Sequence, residues 1–230
     1  MSNLIQTSLF LGVFLSLLSY EIGALLKRKF KLGIFNPLLI SIVLTIIFLL
    51  VLKMDYKTYY EGAKYISFLL TPATICLAIP LYEQLEKLKQ NWKAVVIGIT
   101  SGVIMSLGTI LVLATVFALD HKEYVTFLPK SITTAIGMSV SEELGGYVSI
   151  TVAVIIVTGV LGNVLAETIF KIFHITEPIA RGVAIGTASH AIGTSKAMEL
   201  GEVEGAMSSL SIVVAGILTV IGAPLFAGLL

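Results

Sequence analysis

Charge is what this sequence has least of. Of its 230 residues, 15 are Lys or Arg and 14 are Asp or Glu, a charged fraction of 13%. A soluble domain carries about 25%. A chain of this length buries one ordinary core and must still cover itself with polar groups, so a water-soluble enzyme is excluded. The net charge is +1, which leaves no basic face for nucleic acid. The one cysteine, Cys76, excludes a disulfide framework and a Cys-based zinc site. Three histidines on separate segments do not have metal-ligand spacing, so neither a metal nor another cofactor is expected.

What the chain has in excess is apolar residues, at 57% with a mean hydropathy of +0.99. It therefore reads as an all-α polytopic membrane protein whose solvent is the lipid bilayer. A spanning helix needs about 20 mostly apolar residues, and eight segments approach that pattern: 4–26, 33–52, 58–79, 92–119, 128–140 (short, opening at Pro129), 146–173, 177–198 and 206–230. The first is too long, and its basic cluster too late, for a cleavable signal peptide. No separate aqueous domain is expected. The run Lys27, Arg28, Lys29 and Lys31 favours a cytoplasmic first loop. Over all loops, however, Lys and Arg divide almost evenly between the two sides, so orientation stays open.

The two halves of the chain look alike. Thr71-Pro72-Ala73 followed by Glu83 falls over Thr187-Ala188-Ser189 followed by Glu199, and Lys31-Leu32-Gly33 over Glu143-Leu144-Gly145. Each half runs long apolar, then interrupted, then long and glycine-rich. This order suggests two structural repeats, 1–119 and 120–230, with broken or re-entrant half-helices meeting at the midplane, as in many transporters.

Interrupted segments matter because unpaired backbone groups are not tolerated in hydrocarbon unless protein or a water-filled cavity receives them. Three breaks stand out: Leu70-Thr71-Pro72-Ala73, the stretch Leu128-Pro129-Lys130-Ser131-Ile132-Thr133-Thr134, and 186–196 from Gly186 to Lys196. A half-helix starting at Pro129 would aim free N–H groups at an anion, with Ser131, Thr133 and Thr134 adding hydroxyls and Lys130 a charge. The third break offers the same ingredients, Thr187, Ser189, Thr194 and Ser195 with His190 and Lys196. The plainer alternative is helix packing through small residues, with hydroxyls bonding across helices.

His190 is an intramembrane group that can exchange a proton near neutral pH, or else a neutral imidazole bonded to a neighbour. Glu21, Glu142 and Glu167 are further candidates for holding a coupling proton or sodium ion. Glu21 and Glu167 equally fit interfacial groups or ion-pair partners, and Glu142-Glu143 a cap for the next helix. Glu199, Glu202 and Glu204 read as an acidic loop, and the tyrosines at 56, 59, 60 and 65 as an interfacial belt. Ser189 beside His190 does not make a hydrolase: neighbours on a helix point about 100° apart, and no acid is placed to orient the pair.

The strings FNPLLIS (35–41), LLTPATICLAIPLY (69–82), PKSITTAIGMSVSEELGG (129–146) and GTASHAIGTSKAMELGEVEGAMSSL (186–210) resemble the LrgB/CidB family over nearly the whole chain. That family includes bacterial antiholin-like proteins and is similar to the C-terminal half of the plastidal glycolate/glycerate translocator. The resemblance implies a multi-pass protein of the bacterial cell membrane beside a smaller holin-like LrgA/CidA-type partner. It implies roles in murein hydrolase control and autolysis and in pyruvate uptake, and places a site on Thr71, Pro72, Pro129, Lys130, Ser131, Thr133, Thr134, Ser189, His190, Gly193, Thr194 and Lys196. One departure is Ala135, where the family pattern has proline. Two functions follow as expectations. The first is an ion-coupled transporter component for small monocarboxylates such as pyruvate, glycolate or glycerate, with a homo-oligomer as the default state. The second is an antiholin-like regulator acting with the holin-like partner.

Overall fold

A computed structural model of the chain describes residues 10–30, 35–76 and 78–230; the side chains of residues 70, 71 and 74 lie outside that description. The described residues form α-helices and no strand. The chain divides into two compact units, Met1–Cys76 and Leu77–Leu230.

In the first unit, α1 (Leu11–Phe30) packs on α2 (Pro37–Val51) and on α3 (Tyr56–Phe68). Glycine sets both contacts. A Cβ at Gly12 would overlap the Tyr59 carbonyl, and one at Gly23 would lie 2.8 Å from the Pro37 carbonyl oxygen. Pro37 opens α2 where its missing N–H costs nothing, and the Asn36 side chain accepts from the Leu38 and Leu39 amides at 2.8 and 3.2 Å. Segment 58–79, read as one interrupted span, is α3 followed by α4 (Leu70–Cys76). The interruption falls at Leu69 rather than at Thr71-Pro72, because Pro72 lies in the first turn of α4, where proline is tolerated.

The second unit begins with α5 (Ala78–Glu83) and the long α6 (Leu85–Val116), followed by α7 (His121–Phe127), α8 (Thr134–Glu143), α9 (Val148–Ile172), α10 (Pro178–Leu200) and α11 (Glu202–Ala227). On α6, Val95, Ile99, Val103, Leu107, Ile110 and Ala114 form one buried stripe against Ala206, Met207, Ala215 and Ala223 of α11 and against Tyr124 and Leu128. This is the one-face periodicity of a packed helix. Elsewhere apolar side chains face outward at the same spacing, as at Val157, Leu161, Leu165 and Ile169 on α9 and Val213, Ile217 and Val220 on α11. Water would penalise such faces and lipid does not.

Three of the described helices, α6, α9 and α11, are long and apolar enough to cross a bilayer, against eight expected segments. The chain is a multi-pass membrane protein. Some segments break or shorten, as in α2 with 15 residues and in 128–140, where α8 begins only at Thr134; α1 and α10, with 20 and 23 residues, are long enough but carry too much charge or polarity.

Candidate functional site

The short segment departs most from expectation. Pro129 does not start a helix. It is buried in a turn in which the Lys130 amide donates to the Phe127 carbonyl at 3.1 Å and the Ile132 amide to the Pro129 carbonyl at 3.3 Å. Thr133 is extended (φ −63°, ψ 147°), so α8 begins only at Thr134. The two threonines therefore sit at the helix start, and Ala135 occupies its second position. The turn, not the helix end, carries the cation.

Lys130 and Ser131 reach from that turn into a groove of about 750 Å³ between α6 and α10. The groove is lined from Asn91 to Thr109 on α6 and from Ile179 to Ala188 on α10, with Glu177 preceding. Lys130 Nζ donates to Ser131 Oγ at 2.9 Å and to Ser106 Oγ at 3.3 Å, and the two hydroxyls are 3.2 Å apart. No carboxylate pairs with Lys130 among the described residues. Thr187, on the α10 wall, is buried and its hydroxyl has no hydrogen-bond partner among the described residues. A cation in apolar surroundings that is met only by hydroxyls attracts an anion strongly, because little competes with it in a low dielectric.

Glycines bring the walls together. A Cβ at Gly98 would lie 3.3 Å from Val183, and one at Gly102 would lie 2.7 Å from the Thr187 methyl. Gly98 thus faces 183 and Gly102 faces 187, so α6 and α10 run parallel along the groove.

The third break has a different geometry. His190 has φ 41° and ψ −142°, a non-helical conformation inside α10. Residues with a β-carbon rarely adopt it, at a cost of about 1–3 kcal/mol. Its Nε2–H donates to the Ile155 carbonyl of α9 at 3.0 Å, and the carbonyl, which can only accept, fixes the proton on that nitrogen. Side chains bond the carbonyls at and just after the kink. Thr194 Oγ1 donates to the His190 carbonyl at 2.9 Å, and Asn163 Nδ2 and Ser195 Oγ donate to that of Ile192 at 2.9 and 2.8 Å. Gly159 makes room for the imidazole, since a Cβ there would lie 2.9 Å from Nε2, and a Cβ at Gly162 would overlap Ser189 Oγ.

Of the expected site residues, Lys130 and Ser131 share the groove, while Ser189, His190, Gly193 and Thr194 are buried in the seams of α10 with α9 and α11. Lys196 is neutralised: its Nζ lies 2.5 Å from Glu167 and 3.3 Å from Glu199. Glu21 and Glu142 are exposed. The Glu142-Glu143 pair does not cap α9, whose N-cap is Tyr147 with no side-chain hydrogen bond. Pro72 is exposed, and the Thr71 side chain lies outside the described residues. Glu204, read as part of a solvated loop, is instead buried in the first turn of α11, 4.0 Å from Arg181. The loop reading failed because α10 and α11 meet at a single residue, Gly201. Sequence reasoning missed Ser106 altogether. Its signal was a small, polar stripe of Gly98, Ser101, Gly102, Ser106 and Thr109 on one helix face.

The model of the LrgB-like family matches residues 16–229. Among curated relatives, proteins named antiholin-like protein LrgB from Bacillus mycoides (strain KBAB4) and Bacillus cereus (strain B4264) are each 40% identical over 218 residues, covering 94% of this chain and 95% of the relative. A protein of the same name from Bacillus anthracis matches equally. No solved structure matches.

Proposed function

The chain belongs to the LrgB-like family, and from that premise we propose that it works in the bacterial cell membrane as an antiholin-like regulator. In this role it sits beside a holin-like LrgA/CidA-type membrane protein and restrains murein hydrolase activity and autolysis. The observation that supports this reading is the 40% identity over nearly the full length of proteins that carry the antiholin-like name. Expression in a bacterial strain lacking its own copy is expected to slow detergent-induced autolysis when the partner is present. Unchanged lysis with and without the chain would remove the role.

A second reading is favoured by one feature of the site, the groove cation without a carboxylate. In it the chain is a carrier component for small monocarboxylates, with Lys130 neutralising the carboxylate and Ser106 and Ser131 completing its hydrogen bonds. His190 is the candidate for a coupled proton. The repeats 1–119 and 120–230 are the bodies that rock in this scheme, and a homo-oligomer is its default state. Proteoliposomes are expected to accumulate labelled pyruvate or glycolate under an imposed proton or sodium gradient. Absence of uptake for every small carboxylate tried, with and without the partner, would leave only regulation. The two readings are compatible, because a flux of acid anions changes the membrane energetics that regulate lysis.

A further inference from the structure

The groove has its charged groups at its two ends, and between them only the hydroxyls of Ser101 and Thr187 among apolar side chains. At one end stand Asn91 and Glu177; at the other, Lys130 with Ser106 and Ser131. From Asn91 to Ser106 is 15 residues of α6, or about 22 Å along the helix axis, against a hydrocarbon core of about 30 Å. Trp92 and Lys93 beside the first end are exposed, as interfacial anchors are. The second end therefore lies at depth. The turn 128–132 brings Lys130 to this end, with Leu128 and Ile132 fully buried, and Tyr124 just before it donates its hydroxyl hydrogen to the Phe226 carbonyl at 2.9 Å.

We infer that the groove is a one-sided path by which small anions reach Lys130 from water, entering beside Asn91 and Glu177 and stopping at the turn 128–132. The inference rests on the reading of Lys130 as an anion site and adds to it an entrance, a direction and a place of selection. Charges of both signs lie on the first turns of α6 and just before α10, Glu86 and Glu177 with Lys87, Lys89 and Lys93, so the mouth is not expected to sort ions by sign. Sorting falls to Lys130 at the far end. The glycines at 98 and 102 keep the walls low along the way, and among the described residues that line the groove Lys130 is the one cation, so the Ser101 and Thr187 hydroxyls offer an anion no charge to rest against earlier.

Single cysteines in a Cys76→Ser background test this in sealed vesicles, using membrane-impermeant thiosulfonates of similar size and opposite charge. Lys89→Cys and Phe117→Cys, at exposed positions near the two ends of α6, mark the two sides. Ser106→Cys is expected to react only from the side that modifies Lys89→Cys. The anionic reagent should react about tenfold faster there than the cationic one, the scale of local charge focusing. Asn91→Cys should show no charge preference, and adding Lys130→Ala should erase that of Ser106→Cys. Should Ser106→Cys fail to insert, Ser101→Cys on the same wall carries the sidedness test. Reaction from the Phe117 side, or no reaction while Asn91→Cys reacts, or equal rates for both reagents at Ser106→Cys, overturns the path. One-sided, anion-selective reaction that pyruvate and glycolate do not slow upholds the path and removes the monocarboxylate reading instead.

Discussion

Lys130 and Lys196 follow from the same kind of sequence, a cation beside a Ser/Thr-rich helix break, and they end in opposite surroundings. Lys196 meets two carboxylates, Glu167 on the neighbouring helix and Glu199 one turn on. Lys130 meets two hydroxyls and an open groove. The lesson is that a break in a membrane helix locates polar chemistry, but the partner across the gap decides whether the charge is spent on structure or kept for a ligand. Lys196 is a satisfied ion pair; Lys130 is the anion site that we propose.

The largest expected effect separates the two lysines directly. Lys130→Ala removes the charge-assisted bonds to a bound carboxylate and should lower anion affinity by about ten- to a hundredfold, measured as binding of labelled pyruvate to the protein in nanodiscs. An unchanged affinity would make Lys130 a packing residue like its counterpart.

Next in size is the seam that holds the third break. Gly162→Val forces a side chain into the space of Ser189 and should destabilise the fold by about 1–3 kcal/mol, read by unfolding in mixed micelles. Gly108→Ala, where an added Cβ meets nothing within 4 Å, should be neutral or slightly stabilising. Equal effects would mean that the close contact of α9 with α10 is not tight.

The strain at His190 gives a smaller and more diagnostic difference. His190→Ala loses the bond to Ile155 and keeps the unfavourable backbone; His190→Gly loses the same bond and relieves the backbone. The glycine variant should be the more stable by about 1 kcal/mol. If alanine equals glycine, the kink is not held at a backbone cost.

Much of the fold was legible. Apolar composition made the all-helical membrane class legible though not the number of spans, and the Gly/Ser/Thr run 186–196 located the kink at His190 to within a few residues, because a break in hydrocarbon needs small residues and local hydroxyls. The turn after Leu128 was legible as a break but not as a turn, since Pro129 serves a helix start and a turn equally well. The partner of Lys196 was not legible: Glu167 lies 29 positions earlier on another helix, and only packing brings its register opposite. The groove was hidden for the same reason. Its α6 wall is a face of a long apolar helix, and that face becomes a site only when α10 runs parallel to it.

The smallest expected effect belongs to the satisfied pair. Glu167→Gln removes one of two partners of a lysine at the rim of the fold and should cost no more than about 1 kcal/mol of stability in the same unfolding assay, with anion binding intact. A loss of binding here would join the two cations into one site.

Uptake of labelled pyruvate and glycolate into proteoliposomes, with wild type, Lys130→Gln and Lys196→Gln assayed side by side, tests the division of labour between the lysines most directly. The account predicts that Lys130→Gln abolishes uptake while Lys196→Gln keeps it within about threefold of wild type, the scale of a lost surface ion pair. Uptake preserved in Lys130→Gln, or lost only in Lys196→Gln, would contradict it.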